Sequence, residues 1–460
     1  CISCTVSHTY IVSSSQAYII DDTLLLSGAN LSEEYFTDRQ DRYMLFVNGG
    51  GGLVDFYADL IDILCNYADE YKEGEEMQEQ KLKRDMTLQE KKHELLGSLS
   101  NLLDGSNDDA LVKREHVDEN EVIAYAIPTV QIPTSLCPAS SHTPTNVAQQ
   151  QREVEENEEK VFPFPLDTTV TKNLLLAALE CDPKNASVRL SSAYLNPTMS
   201  LMSVLKMFGS ERGDVDGVGG AAYLLTAGPK SHGFASKTDR EEKTGSNKSI
   251  GDNDDDRRKE EIATVATGNG PGRGWIPKAY TEIVKEAASQ LVSRGGKVLL
   301  YEKMFWSFHA KGLWLSLPSS SPFLENENVE TEKINSYIYD QSAIRATIVG
   351  SGNYGARSEY WDVESNCILI MKQIPDHHPL TSTVSKSRSP SLKTTQSFGD
   401  NETFALQEKD HQSGSSLLQS LVAKEWNDLC QYTSEMNLNR SREPLSLGLM
   451  GALQILRKFL

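Results

Sequence analysis

The sequence predicts an α/β protein: two similar half-domains of mixed sheet around one site, the first half-domain incomplete. Three observations carry that prediction. Strand-like and helix-like segments alternate along the chain. A short unit of strand, small-residue turn ending in asparagine, acid and second strand occurs twice with the same internal spacing. The length, 460 residues with 38% hydrophobic, suffices for more than one core without disulfide support.

From Ala17 the chain reads as a strand at Tyr18-Ile19-Ile20, a turn at Asp21-Asp22, a strand at 23–26 and the turn Ser27-Gly28-Ala29-Asn30. A third apolar run, 43–47, ends in four glycines. Leu53, Phe56, Tyr57, Leu60, Ile61, Leu64 and Cys65 then recur at helical spacing toward Tyr71. Residues 17–71 are therefore expected to be the C-terminal part of the first half-domain. Residues 1–16 form an atypical start without a secretory pattern, and are expected to be either a mistaken gene-model start or a foreign segment.

Residues 72–121 are dominated by Glu, Lys, Gln and Asp, and read as a charged linker, either a solvated helix or disordered. The second half-domain then takes 122–460. Its expected elements are a helix at 173–180, a strand at 188–192, a helix at 201–208 and a strand at 222–226. The clearest helix, 278–294, is opened by Pro277 and closed by Gly295-Gly296, and a strand follows at 297–301. Polar inserts near 134–160, 237–261, 318–332 and 375–416 read as loop expansions, which cost little because closure entropy grows slowly with length.

Composition narrows the function. With 45 Lys+Arg against 65 Asp+Glu the net charge is −20, which argues against nucleic acid as a partner. No apolar run reaches the length that crosses a bilayer, so membrane contact is expected to be peripheral. Seven scattered cysteines, with only Cys1 and Cys4 close together, suggest a reducing compartment and no zinc. No cofactor is expected.

In the strand-like run 308–315 the period of two places His309 and Lys311 on one face. Downstream, 347–349 runs into Gly350-Ser351-Gly352-Asn353, whose amides, hydroxyl and carboxamide suit an anionic oxygen. Glu364, eleven residues past Asn353, is placed to orient an imidazole. Taken singly, these are ordinary structural features. The repeat gives them weight: Ser27-Gly28-Ala29-Asn30 is likewise followed by an acid, Asp41, eleven residues past Asn30, and each acid leads into an apolar strand.

His309-x-Lys311 followed by Gly350-Ser351-x-Asn353 resembles the signature of the phospholipase D superfamily, in which two such copies meet around one site. More narrowly, the text at 27–32, 35–43, 308–315, 350–358 and 362–364 is similar to the eukaryotic mitochondrial phosphatidylglycerophosphate synthases. The resemblance implies a phospholipase D-like fold and transfer of a phosphatidyl group from CDP-diacylglycerol to glycerol 3-phosphate, in phosphatidylglycerol and cardiolipin synthesis. It also implies an inner mitochondrial membrane location. One histidine would attack phosphorus and the other protonate the leaving group, without a metal. It implies for His309 the acid/base part, for Lys311, Ser351 and Asn353 contact with phosphoryl oxygens, and for Glu364 the imidazole's orientation. Asp21, Ser27, Asn30 and Asp41 are then remnants of the first half-site.

One departure stands out. The first half-site's His-x-Lys should fall at Ser14-Ser15-Gln16, which holds neither residue, so the chain as written is expected to be inactive. The alternatives are a phosphatidylserine synthase or phospholipase of the same superfamily, or a non-catalytic anionic-lipid-binding remnant. The apolar run 445–460 and the aromatic trio Phe305, Trp306 and Phe308 are both expected to pack in the core rather than at a lipid surface.

Overall fold

The computed structural model describes residues 2–6, 9–13, 16–48, 52–67, 88–104, 122–133, 164–209, 221–233, 275–317, 344–372, 414–438 and 453. The expected inserts at 134–160, 237–261 and 318–332 lie outside them, as does that at 375–416 up to residue 413.

The first half contains β1 (Ile2–Val6), β2 (Thr9–Ser13), β3 (Gln16–Ile20), β4 (Thr23–Ser27), α1 (Glu34–Thr37), β5 (Arg39–Gln40), β6 (Tyr43–Phe46) and α2 (Leu53–Tyr67). β3, β4 and β6 form an antiparallel sheet. The β3–β4 turn is made by Asp21 and Asp22, with Asp21 at φ 51°, a conformation that Asp tolerates better than most residues.

The second half supplies β7 (Ala124–Gln131), α4 (Asp167–Cys181), β8 (Ser187–Ser191), α5 (Met199–Met207), β9 (Ala222–Ala227), α6 (Trp275–Val292), β10 (Lys297–Tyr301), β11 (Ser307–Phe308) and β12 (Gly312–Ser316). It ends with β13 (Ile344–Gly350), α7 (Ala356–Tyr360), β14 (Asp362–Met371), α8 (Gly414–Cys430) and β15 (Thr433–Glu435). The α8 helix thus begins inside the last expected insert. The alternation of elements predicted for this half holds, with boundaries shifted by a few residues, as fraying helix ends make usual.

Ten strands form one mixed sheet in the order β1-β2-β14-β13-β12-β8-β9-β10-β15, with β7 also on β14. β14 is shared along its length: Asp362 and Val363 pair with β2, and Glu364 onward with β7. β7 carries Pro128, which an edge strand accommodates because one side of its backbone has no partner.

Helices cover both faces, so the strands alternate between two cores. Val188, Leu190, Leu224 and Leu313 point to α4, α5 and α6, whereas Leu225, Leu299 and Trp314 point to α8, where Trp426 is fully buried. The α6 helix ends as its sequence implies, on Gly295 at φ +81°. Leu453, from the apolar run 445–460, is buried in the first of these cores; the rest of that run lies outside the described residues.

A third core draws on both halves. Leu24, Leu26, Tyr57 and Leu60 of the first half share it with Val130, Val349 and Cys367 of the second. The charged linker expected at 72–121 contains α3 (Leu88–Asp104), whose Leu96 and Leu99 are buried in the same core. Its leucines recur at helical spacing, and their burial outweighs the charge of the surrounding sequence.

Candidate active site

The sequence repeat is also a repeat of contacts. β4 pairs antiparallel with β6, and β13 with β14. In both copies the serine at the end of the first strand reaches the residue that follows the acid. Ser27 Oγ donates to Arg42 O at 2.8 Å. Ser351 Oγ donates to Ser365 O at 3.4 Å and accepts from Ser365 N at 3.1 Å. Each hydroxyl pins its acid at the head of the strand pair.

His309 and Lys311 do not lie in one strand as expected. Residues 309–311 separate β11 from β12, and the His309 N–H donates to Gln40 O at 2.7 Å, because β11 pairs with β5 of the first half. The two side chains still meet, with Lys311 Nζ 2.8 Å from His309 Nδ1.

The acid on this imidazole is Asp41, with Oδ2 2.8 Å from His309 Nδ1. Glu364, which the sequence placed there, bonds Ser358 instead at 3.1 Å. The reason is geometric: β11 pairs with β5, which brings Asp41 of the first copy across to His309 of the second. A carboxylate cannot donate, so Nδ1 carries the proton and Nε2 keeps its lone pair. Lys311 then gives its protons to Gly28 O at 3.2 Å, His309 O at 3.3 Å and His309 Nε2 at 3.2 Å. Burial, helped by the Lys311 charge, lowers the imidazole to about 4, so it is neutral at pH 7. Burial lowers Lys311 as well, against the pull of Asp41 and Glu364.

Three further residues surround His309. Tyr35 on α1 brings its hydroxyl to 3.2 Å from Nδ1 and 3.4 Å from Nε2, and accepts from Arg39 Nη1 at 3.1 Å. The Tyr194 ring stands edge-on at 6.3 Å between centroids. Tyr35 and Arg39 lie in the motif text at 35–43, but only the fold shows that α1 closes over a residue 274 positions away. The aromatic trio divides: Phe308 is buried, Phe305 is exposed, and Lys303 lies 3.4 Å over Trp306.

The second acid has no imidazole among the described residues. Glu364 Oε2 and Asn353 Oδ1 are buried without a hydrogen-bond partner. Burial raises the Glu364 carboxyl to about 8, against the Ser351 and Ser358 hydroxyls and the Lys311 charge. On the first copy, Gln16 sits where the lysine was expected and donates to Asn30 Oδ1 at 3.0 Å. Asp21 stands in its exposed hairpin turn, a role that accounts for it without the site.

Gly28 is fixed by close approach: a Cβ there would lie 2.6 Å from Lys311 Nζ and 3.2 Å from Asp41 Oδ1. Gly28→Ala is expected to displace the Lys311 amine from His309 while the chain still folds. The His309 ring 15N signal beside a thermal melt checks this. Among the described residues, no three His, Cys, Asp or Glu are grouped as metal ligands, and no helix is long and apolar enough to cross a membrane.

No protein-family model matches the chain. The chain is 25% identical over 375 residues to the mitochondrial CDP-diacylglycerol–glycerol-3-phosphate 3-phosphatidyltransferase of Mus musculus, covering 77% of this chain and 51% of that one. A probable enzyme of the same name from Dictyostelium discoideum is 22% identical over 387 residues, covering 79% and 50%. Among solved structures, phosphatidylserine synthase from Haemophilus influenzae aligns with 97% of this chain and 71% of its own, at 12% identity and a TM-score of 0.48. The chain spans about half the length of the curated relatives it matches. Over 77% of its length, then, the chain is similar to the CDP-diacylglycerol–glycerol-3-phosphate 3-phosphatidyltransferases.

Proposed function

We propose that this protein transfers the phosphatidyl group of CDP-diacylglycerol to glycerol 3-phosphate, releasing CMP and forming phosphatidylglycerophosphate. One observation carries the reading: a neutral imidazole, a buried lysine and an orienting carboxylate converge from two copies of one unit, in a chain similar to enzymes of that name.

The chemistry runs in two in-line displacements. In the first, an imidazole nitrogen bonds phosphorus and the bond to the CMP oxygen breaks, a second group giving that oxygen its proton. In the second, the glycerol 3-phosphate hydroxyl bonds phosphorus, the N–P bond breaks, and the hydroxyl proton passes to the same second group. His309 is assigned that acid/base part; its bare Nε2 accepts a proton. The anionic diphosphate, once bound, raises both His309 and Lys311 toward their charged forms. Lys311, Asn353 and Ser351 are assigned to the phosphoryl oxygens. Glu364 is assigned to the nucleophile's imidazole, as Asp41 serves His309.

We further propose a mitochondrial location with peripheral contact to the inner membrane. β5 and β11 run parallel, so the segments entering them emerge at one end, and these segments carry exposed Phe36 and Phe305. Such side chains suit a lipid surface beside a lipid substrate.

The test is an assay of the full-length gene product in CDP-diacylglycerol vesicles, offering labelled glycerol 3-phosphate, serine or water. Phosphatidylglycerophosphate with release of CMP is the expected result. Transfer to serine or water alone would place the protein with the synthases or hydrolases of the superfamily. Phosphohistidine on His309 would overturn its acid/base assignment. Gln16 at the lysine position favours a second reading, a lipid-binding chain without turnover, and vesicle binding with no transfer would support it.

A further inference from the structure

We propose that Arg42 is a positioning residue that locks Asp41 onto His309 by clamping the first half of the site into the sheet of the second. The inference rests on the acid/base reading of His309.

Arg42 follows Asp41 directly, and its backbone is part of the site. Its N–H donates to Asp41 Oδ1 at 2.8 Å, and its carbonyl accepts from Ser27 Oγ. Any shift of this peptide moves the carboxylate that holds the imidazole. The side chain runs the other way and is almost wholly buried, at 1% exposed.

There the guanidinium meets three elements of the second half. Nε donates to both Glu425 oxygens on α8 at 2.8 and 2.9 Å. Nη2 donates to Thr347 Oγ1 at 2.8 Å, and Nη1 donates to the Ile348 carbonyl, both on β13. The group also lies 4.3 Å over the Trp314 ring of β12. β12 starts just after Lys311, and β13 runs into Ser351 and Asn353, so the clamp grips the two strands that carry the second copy's site residues.

The glycine after Lys311 is part of the same device. A Cβ at Gly312 would lie 2.4 Å from Arg42 Nη1 and 3.0 Å from Ile348 O, so the arginine reaches its partners only across a bare backbone. A lysine in this place keeps the charge but lacks the planar fork, and cannot serve Glu425, Thr347 and Ile348 together. An imidazole–carboxylate contact of 2.8 Å does not survive a shift of an ångström.

The test reads the His309 ring directly and needs no turnover. In histidine-15N-labelled chain at pH 7, with the signal assigned by its loss in His309→Asn, wild type is expected to show one tautomer, protonated at Nδ1. Asp41→Asn is expected to mix the tautomers, Arg42→Lys to mix them to the same extent, and the double variant to add nothing further. A folded Arg42→Lys chain with the wild-type His309 signal overturns the proposal, as does an additive change in the double variant. If Arg42→Lys does not fold, Glu425→Gln decides: it weakens the anchor from a partly exposed helix, and a wild-type signal there overturns the proposal equally. A wild-type chain without the single Nδ1–H tautomer would overturn the acid/base reading beneath it. In the full-length gene product, Arg42→Lys is expected to lower kcat about tenfold with KM for CDP-diacylglycerol unchanged.

Discussion

His309→Asn is expected to reduce phosphatidyl transfer by the full-length gene product at least about a thousandfold, the range lost when a positioned acid/base is removed. Asparagine keeps most of the volume and one donor, so the pocket of Tyr35, Tyr194 and Lys311 remains filled and the protein folds. The loss belongs in kcat, because the imidazole touches the proton in flight and contributes little to holding the lipid. Substrate binding to vesicle-borne CDP-diacylglycerol should stay within a few-fold of wild type. Unchanged turnover would remove His309 from the mechanism altogether.

Asp41→Asn has the second-largest expected effect, a fall in kcat of about 100- to 10,000-fold. The carboxylate is the group that fixes the proton on Nδ1 and frees Nε2; a carboxamide can present either an acceptor or a donor, and so accepts both tautomers. The pH profile gives a second readout. Asp41 is the group that raises the His309 pKa against burial and the nearby Lys311 and Arg39 charges. Without it the imidazole, already held at about 4, falls further, and the acidic limb of kcat/KM for glycerol 3-phosphate, the step in which His309 is the base, moves to lower pH. An acidic limb that moves upward would mean that Asp41 acts through some other group. Glu364→Gln, which removes the acid that the sequence had placed on His309, leaves this limb in place.

The alternating elements and the doubled unit were legible because local spacing dictates them. Asp41 and Glu364 each lie eleven residues past an asparagine, and the fold repeats even the serine contact at the head of each strand pair. The pairing of His309 with Asp41 was not legible, since spacing says how far Glu364 lies from Asn353 but not which acid meets the imidazole. Arg42 was hidden for a related reason: an arginine beside an aspartate reads as surface charge until its partners on β13 and α8 are known. The docking of α3 left a trace in the recurring leucines, obscured by the glutamates and lysines among them. The strand break at 309–311 left none, because it comes from pairing with β5, a segment some 268 residues earlier.

That same separation bears on how the protein comes to be folded. Asp41 and His309 stand 268 residues apart, and the core beneath them is filled by Leu24, Tyr57, Val130 and Cys367 from both halves. Closing so long a stretch of chain is an entropic cost met only when both sides are already formed, and contacts of this range form late in folding. Until the halves join, His309 has neither the Asp41 carboxylate nor the Tyr35 hydroxyl beside it. The carboxylate that fixes the tautomer and the Gly28 carbonyl that holds the lysine both belong to the other half, so the site is complete only when the two halves are joined.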